Sequence, residues 1–310
     1  VAQDTEPRSY ASGKIILLGE HAVVYGRPAL AAPIPLAVEA RVVDSTDTVL
    51  LIPRWGIEQR VPPMSENPQG VTGILALLLE RLDLASRSLT IEAFPNVPRA
   101  MGLGGSSALA VAVIRALSNH FKLDLSDERV NELAFECERA VHGTPSGVDN
   151  TIATYGSTLL FENKGAPSFQ EVHPARSVSI AIGISGKESL TATTVAQVRK
   201  AWERQPERYE RIFDQIGDLT RAGTEALQDG AYQELGELMN LCQGYLNALQ
   251  VSTPELEELI HIARRRGAVG AKLTGGGGGG SVIALCPDGA DDVVEAMQNS
   301  GFEALAFDLA

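Results

Sequence analysis

Pro98-Arg99-Ala100-Met101-Gly102-Leu103-Gly104-Gly105-Ser106-Ser107-Ala108 brings a run of glycines up to the first residues of a helix, and those residues are serines. From Ser106 to Phe121 the chain continues in Ala, Val, Ile and Leu, which predicts a helix. The orphan N–H groups and the dipole at such a helix start favour an anion. Glycine lets the backbone approach phosphate closely. The serine hydroxyls can cap the helix, bind phosphate or reach a Mg2+. The stretch has no Gly-Lys-Ser/Thr ending, so it is not a Walker A loop, and it lacks the last glycine of a dinucleotide fingerprint. A flexible turn with an N-cap would also use Gly and Ser, but their density here favours phosphate binding.

Three further stretches flank this loop. Upstream, Ser12-Gly13-Lys14-Ile15-Ile16-Leu17-Leu18-Gly19-Glu20-His21-Ala22-Val23-Val24-Tyr25-Gly26 sets a Lys, a Glu and a His around an apolar strand and its turn. A polar pocket at a strand end and an ordinary solvated strand explain it equally well on local grounds. Downstream, Lys272-Leu273-Thr274 precedes six consecutive glycines, Gly275 to Gly280, and then Ser281. Ordering six glycines costs considerable conformational entropy. The flanking stretches 268–273 and 282–285 read as core strands, so a tight backbone approach to a ligand or another loop explains the run better than a linker. Between the two lie the acids Glu138, late in a helix predicted over 127–142, and Asp149, in Pro145-Ser146-Gly147-Val148-Asp149-Asn150. Phosphoryl transfer needs a metal ligand and a group to orient or deprotonate the hydroxyl, and one carboxylate for each would suffice. Taken singly, Glu138 reads as a solvated helix face and Asp149 as a turn residue.

Around these stretches, strands are predicted over 9–18, 36–43, 49–53, 89–94, 157–162, 178–184, 268–273, 281–286 and 303–308. Helices are predicted over 70–82, 106–121, 127–142 and 291–299, with an almost wholly helical region over 191–266 broken near Pro206, Gly230 and Pro254. Strands and helices intermix without a regular βαβ beat, which argues α+β. The rhythm changes near residue 175, so two domains are expected, 1–175 and 176–310.

The 310 residues are enough for such a pair. A net charge of −13 makes nucleic acid an unexpected partner and disfavours anionic membranes. No apolar run approaches the roughly 18 residues of a spanning helix, and Val1 to Tyr10 does not read as a signal peptide. Cys137, Cys242 and Cys286 are odd in number, widely spaced and set in apolar surroundings, as expected of reduced thiols in a cytoplasmic protein.

Taken together, the stretches resemble the galactokinase–homoserine kinase–mevalonate kinase–phosphomevalonate kinase superfamily (GHMP kinases), and within it the mevalonate kinase family. The resemblance covers nearly the whole chain. Gly13-Lys14 through Gly26 is similar to the first motif, and Gly102 to Ala108 to the nucleotide phosphate loop. Glu138-Arg139 with His142-Gly143 and Pro145 to Asn150 resembles a segment specific to mevalonate kinases, and Lys272 to Ser281 resembles the third motif. The resemblance implies a two-domain GHMP kinase fold, with an N-terminal ribosomal-S5-like domain and a C-terminal ferredoxin-like α/β sandwich, and an active site in the cleft between them. It implies ATP-dependent phosphorylation of the 5-hydroxyl of (R)-mevalonate in isoprenoid biosynthesis, with ATP and Mg2+ as cofactors, and it is compatible with a homodimer.

Residue by residue, the resemblance implies that Asp149 acts as base or orienter with Lys14 beside it. Glu138 and one of Ser106 or Ser107 would hold Mg2+. Gly102, Leu103, Gly104, Gly105, Ser106, Ser107 and Ala108 would bind the nucleotide. Glu20, His21 and Thr191, in Ser189-Leu190-Thr191, would meet the substrate. The chain departs from the family's pattern in an extra glycine, Gly104-Gly105, which leaves the choice of serine open, and in a looser stretch from Gly183 to Thr191. The rivals are a sister kinase acting on phosphomevalonate or another small alcohol, a decarboxylase of diphosphomevalonate, and a ligand sensor without catalysis. Arg27 alone near the first motif disfavours a doubly anionic substrate, and Lys14 with Glu138 and Asp149 favours kinase chemistry.

Overall fold

The computed structural model describes residues 7–61, 70–142, 145–189 and 191–310; Gly143 and Leu190 lie outside them. In chain order the elements are β1 (Ser9–Leu18), β2 (Ala29–Asp44), β3 (Val49–Ile52), β4 (Ile57–Arg60), α1 (Gly70–Arg81), β5 (Leu89–Pro95), α2 (Gly105–Phe121), α3 (Asp127–His142), α4 (Val148–Tyr155), β6 (Leu159–Asn163), β7 (Pro167–Glu171) and β8 (Val178–Ile184). They continue with α5 (Thr191–Arg204), α6 (Pro206–Asp229), α7 (Tyr232–Ala248), α8 (Pro254–Arg265), β9 (Gly270–Thr274), β10 (Ser281–Cys286), α9 (Asp291–Asn299) and β11 (Glu303–Leu309). The class is α+β, as the irregular alternation predicts. Among the described residues no helix is long and apolar enough to cross a membrane.

Four elements differ from the sequence reading, each for a physical reason. The strand expected over 36–43 is part of the longer β2. Its first half contains Pro33 and Pro35, which cannot donate to a ladder. They fall between its ladders with β6 (Ala29–Ala31) and with β5 (Val38–Asp44), while β2 also pairs with β1. The segment around Asp149 is a helix, α4, and not a turn. It is eight residues long and rich in Thr and Asn, with Gly147 as its left-handed N-cap, so its local propensity is poor. Burial of Val148, Ile152 and Ala153 overrides that propensity. Strands β4 and β7 lack the apolar alternation that marks a strand, and all five residues of β7 are exposed.

The contacts divide the chain into two compact units, both discontinuous in sequence. One comprises residues up to Gly13, Pro35–Pro98 and Gly104–Gly156. Here β5 pairs antiparallel with β2 and parallel with β3, and β3 carries β4 at its far side. Helices α2, α3 and α4 pack on one another. Ala108 to Ile114 of α2 are all buried, which is why that helix shows no polar stripe.

The other unit comprises Lys14–Ile34, Arg99–Leu103 and Ser157–Ala310. Its core is an antiparallel sheet in the order β11-β8-β10-β9. Helices α8 and α9 cover one face so closely that a Cβ on Gly183 would lie 2.8 Å from both Leu259 and Met297. The edge strand β9 would leave backbone groups unpaired, and α7 supplies them with side chains. Asn240 donates to the Val269 carbonyl at 3.1 Å and accepts from the Ala271 N–H at 3.1 Å, while Gln243 accepts from the Leu273 N–H at 3.0 Å. One helix turn thus stands in for a missing strand.

Asn240→Leu keeps the volume of that contact and removes both Asn240 bonds. It is expected to lower unfolding stability by about 1–3 kcal/mol for each backbone group left unpaired, read as a shift in the urea midpoint.

Candidate active site

Lys14 lies in β1 and is 3% exposed. Its own N–H donates to the Leu103 carbonyl at 2.9 Å, and its Nζ donates to the Gly102 carbonyl at 2.9 Å. The first motif therefore grips the glycine loop through both main chain and ammonium. The same loop is held from the other side by the third motif. A Cβ on Gly275 would lie 3.0 Å from the Gly102 carbonyl oxygen, and the Ser281 hydroxyl donates to the Met101 carbonyl at 2.8 Å.

The glycine run makes its close approach to protein. At Gly277, with φ of 72°, a Cβ would sit 2.2 Å from the Val251 carbonyl oxygen. Gly278 and Gly280 donate to the carbonyls of Val251 and Lys187 at 2.7 and 2.8 Å. Of the two readings left open for six glycines, packing against neighbouring loops is the one formed.

His21 and Thr191 meet at this turn. His21 Nε2 lies 3.0 Å from the Gly276 carbonyl, and a Cβ on Gly276 would come within 2.8 Å of the Thr191 side chain. Burial lowers the His21 pKa to about 4, with the nearby Lys272 charge acting in the same direction and the Gly276 bond opposing it. The ring is therefore neutral at pH 7. Because a carbonyl can only accept, Nε2 carries the proton and Nδ1 is left as an acceptor. Thr191 opens α5 and is exposed.

Glu20 forms an ion pair with Lys272 in which both side chains are wholly buried. Burial pushes the Glu20 pKa up, and Lys272 opposes the shift. Glu20 Oε2 has no hydrogen-bond partner among the described residues, and Lys272 Nζ also donates to the Leu273 carbonyl at 2.7 Å. Sequence reasoning assigned no role to Lys272 itself. The available signal was strand alternation, since 272 and 274 share one face of β9. Arg27, the one cation noted near the first motif, is engaged by Glu210 and by Asp214, at 2.8 Å from the latter.

The other predicted residues lie in the first unit. Gly104 is the left-handed N-cap of α2, so Gly105, Ser106 and Ser107 form its first turn, and the first bonded helical amide is that of Ala108, on the Gly104 carbonyl at 3.0 Å. The amides of residues 105–107 are the orphan donors of a helix start. Ser106 is exposed, whereas Ser107 is 1% exposed and its Oγ has no partner among the described residues. Glu138 is 7% exposed on α3, so it is not a solvated helix face. Asp149 is half-buried in the first turn of α4, where the helix dipole favours a carboxylate. The described residues contain no cluster of three or more His, Cys, Asp or Glu side chains able to hold a metal, so a cation in this unit would depend on hydroxyl or phosphate oxygens as well.

Residues 70–157 match the GHMP kinases N terminal domain, and residues 224–303 match the GHMP kinases C terminal. The chain is similar to the mevalonate kinase of Methanothermobacter thermautotrophicus, at 38% identity over 94% of this chain and 93% of that one. Among solved structures it resembles Leishmania major mevalonate kinase in complex with R-mevalonate, with a TM-score of 0.81 and 32% identity over 95% and 92% of the two chains. The Methanococcus jannaschii mevalonate kinase aligns with a TM-score of 0.82 and 25% identity over 99% and 98%.

The His21 pKa gives the site a pH signature. Its folded value, about 4, lies below the ordinary 6.5. The unfolded chain therefore binds the proton more tightly, and stability falls as pH drops from about 6.5 to 4, by about 3 kcal/mol in total. His21→Gln is expected to flatten the urea midpoint across that window. An unchanged slope would assign the dependence to other groups.

Proposed function

Because the chain belongs to the mevalonate kinase family of the GHMP kinases, we propose that it transfers the γ-phosphoryl group of ATP to the 5-hydroxyl of (R)-mevalonate, yielding ADP and 5-phosphomevalonate. The observation that carries this reading is the buried, unpartnered Ser107 hydroxyl in the first turn of α2, behind Gly102 to Gly105. A buried polar atom with no protein partner is satisfied by an ordered water, an ion or a ligand atom, and a helix N-terminus favours an anion at that place.

The residues then divide the work. The amides of Gly105, Ser106 and Ser107 bind nucleotide phosphate oxygens, and the glycines from Gly102 to Gly105 with Leu103 and Ala108 shape the loop. Asp149 accepts the proton of the substrate hydroxyl, or orients that hydroxyl, as the new O–P bond forms. Lys14, placed by the Gly102 carbonyl, stabilises the developing negative charge. His21 presents a neutral Nδ1 acceptor to the substrate, with Thr191 next to it across Gly276. No covalent enzyme intermediate is needed, since positioning and charge stabilisation carry phosphoryl transfer.

The donor set fits Mg2+, which takes one or two carboxylates and completes its octahedron with phosphate oxygens and waters. Glu138 would supply the carboxylate and Ser107, the more enclosed serine, the hydroxyl, and a Mg2+ held by them would supply charge neutralisation to the nucleotide phosphates.

With ATP-Mg and a panel of mevalonate, 5-phosphomevalonate, galactose and homoserine, ADP release is expected on mevalonate alone. Turnover only on another alcohol would move the substrate and leave the reaction class. Asp149→Asn is expected to lower kcat by a factor of roughly 100 to 10,000 with ATP binding retained by calorimetry; full turnover in that variant would remove Asp149 from its role.

A further inference from the structure

Three contacts join the third motif to the first: the side chains of Lys272 and Thr274, on one face of β9, and the main-chain carbonyl of Gly276 in the turn that follows. Lys272 holds Glu20. The Thr274 hydroxyl accepts from the Ile16 N–H at 2.8 Å and lies 3.2 Å from the Ile16 carbonyl, to which it donates. The Gly276 carbonyl accepts from His21. The residues contacted, 16, 20 and 21, run from β1 into the turn that follows it. Lys14 lies two residues before Ile16 on the same strand, and its ammonium rests on Gly102, which in turn abuts Gly275.

We propose that Lys272 is a positioning residue for phosphoryl transfer: its buried ammonium, shared between Glu20 and the Leu273 carbonyl, fixes the Gly19–His21 turn against β9 and so sets where His21 and Lys14 stand. Its ammonium donates to Glu20 and to the Leu273 carbonyl, and both side chains of the pair are wholly buried, so its effect on the site is exerted through the turn it holds. The turn it holds needs an external clamp. His21 has φ of 61°, which a side-chain-bearing residue adopts only when its surroundings impose it. Gly19, with φ of 108°, packs so closely on Pro28 and Ala29 that a Cβ would lie 2.5 Å from each. Glu20 sits between these two residues, and its Oε2 is unpartnered, so Lys272 supplies the side chain that holds it. Where a buried pair is retained although an apolar pair would serve stability as well, specificity of arrangement is the role to test.

The inference rests on the kinase reading for its activity readout, and a second readout is independent of that reading. The variants are Lys272→Met, which strands the Glu20 charge, and the double variant Glu20→Met with Lys272→Met, which removes both charges at similar volume. Lys272→Met is expected to melt well below the parent protein, and the double variant to recover most of that loss. The double variant is nevertheless expected to keep its KM for ATP while kcat falls at least tenfold. Its His21 ring, followed by nitrogen NMR, is expected to lose the single Nε2–H tautomer of the parent. A stable double variant with parental kcat and parental His21 tautomer would overturn the proposal and leave the pair a packing element. Should the parent protein itself release no ADP with mevalonate, the kinase reading fails, and the positioning claim stands or falls on the His21 tautomer alone.

Discussion

The constraint on which the second unit depends is the absence of side chains from Gly275 to Gly280. The turn between β9 and β10 sits against Arg99–Leu103, the stretch from Ser185 to Ser189, and Val251; against Val251 and Glu188 the approach is closer than a Cβ allows, and against Gly102 it is tighter than most Cβ contacts. Six glycines are expensive to order. The hydrogen bonds of Gly278, Gly280, Ser189 and Ser281 to neighbouring carbonyls offset part of that cost. A chain with side chains here would push the Gly102 carbonyl away, and Lys14 takes its position from that carbonyl.

Polar groups inside this unit are consistently used as joints. Asn240 and Gln243 of α7 satisfy the edge of β9, Thr274 bridges to the main chain of β1, and Lys272 clamps Glu20. Each is costly to bury alone and directional when paired, so each contributes more to register than to net stability. This explains why a strand as short as β9 can carry residues that must stand at fixed positions.

The two units offer different chemistry. The first holds a helix start with orphan amides, a buried and a half-buried carboxylate, and a serine hydroxyl with no partner among the described residues. The second holds the ammonium and the neutral imidazole.

The residue types of the site were legible in the sequence because chemistry-bearing residues sat beside glycine, where main-chain geometry is constrained: Lys14 with Gly13, Ser106 and Ser107 after Gly104-Gly105, Asp149 after Gly147. Long amphipathic or apolar helices such as α2, α6 and α8 were also legible, since their period repeats over several turns. Three features were not. The first half of β2 contains Pro33 and Pro35, whose effect depends on which neighbour pairs where. Helix α4 forms against its own propensity because its apolar side is buried. The partner of Glu20 lies 252 residues away, at Lys272. Local sequence thus determined which groups are present and which segments prefer a helix or a turn, because those preferences act between near neighbours in the chain. Burial, pairing and the tautomer of His21 were decided only by the tertiary structure, because they depend on contacts between residues distant in sequence.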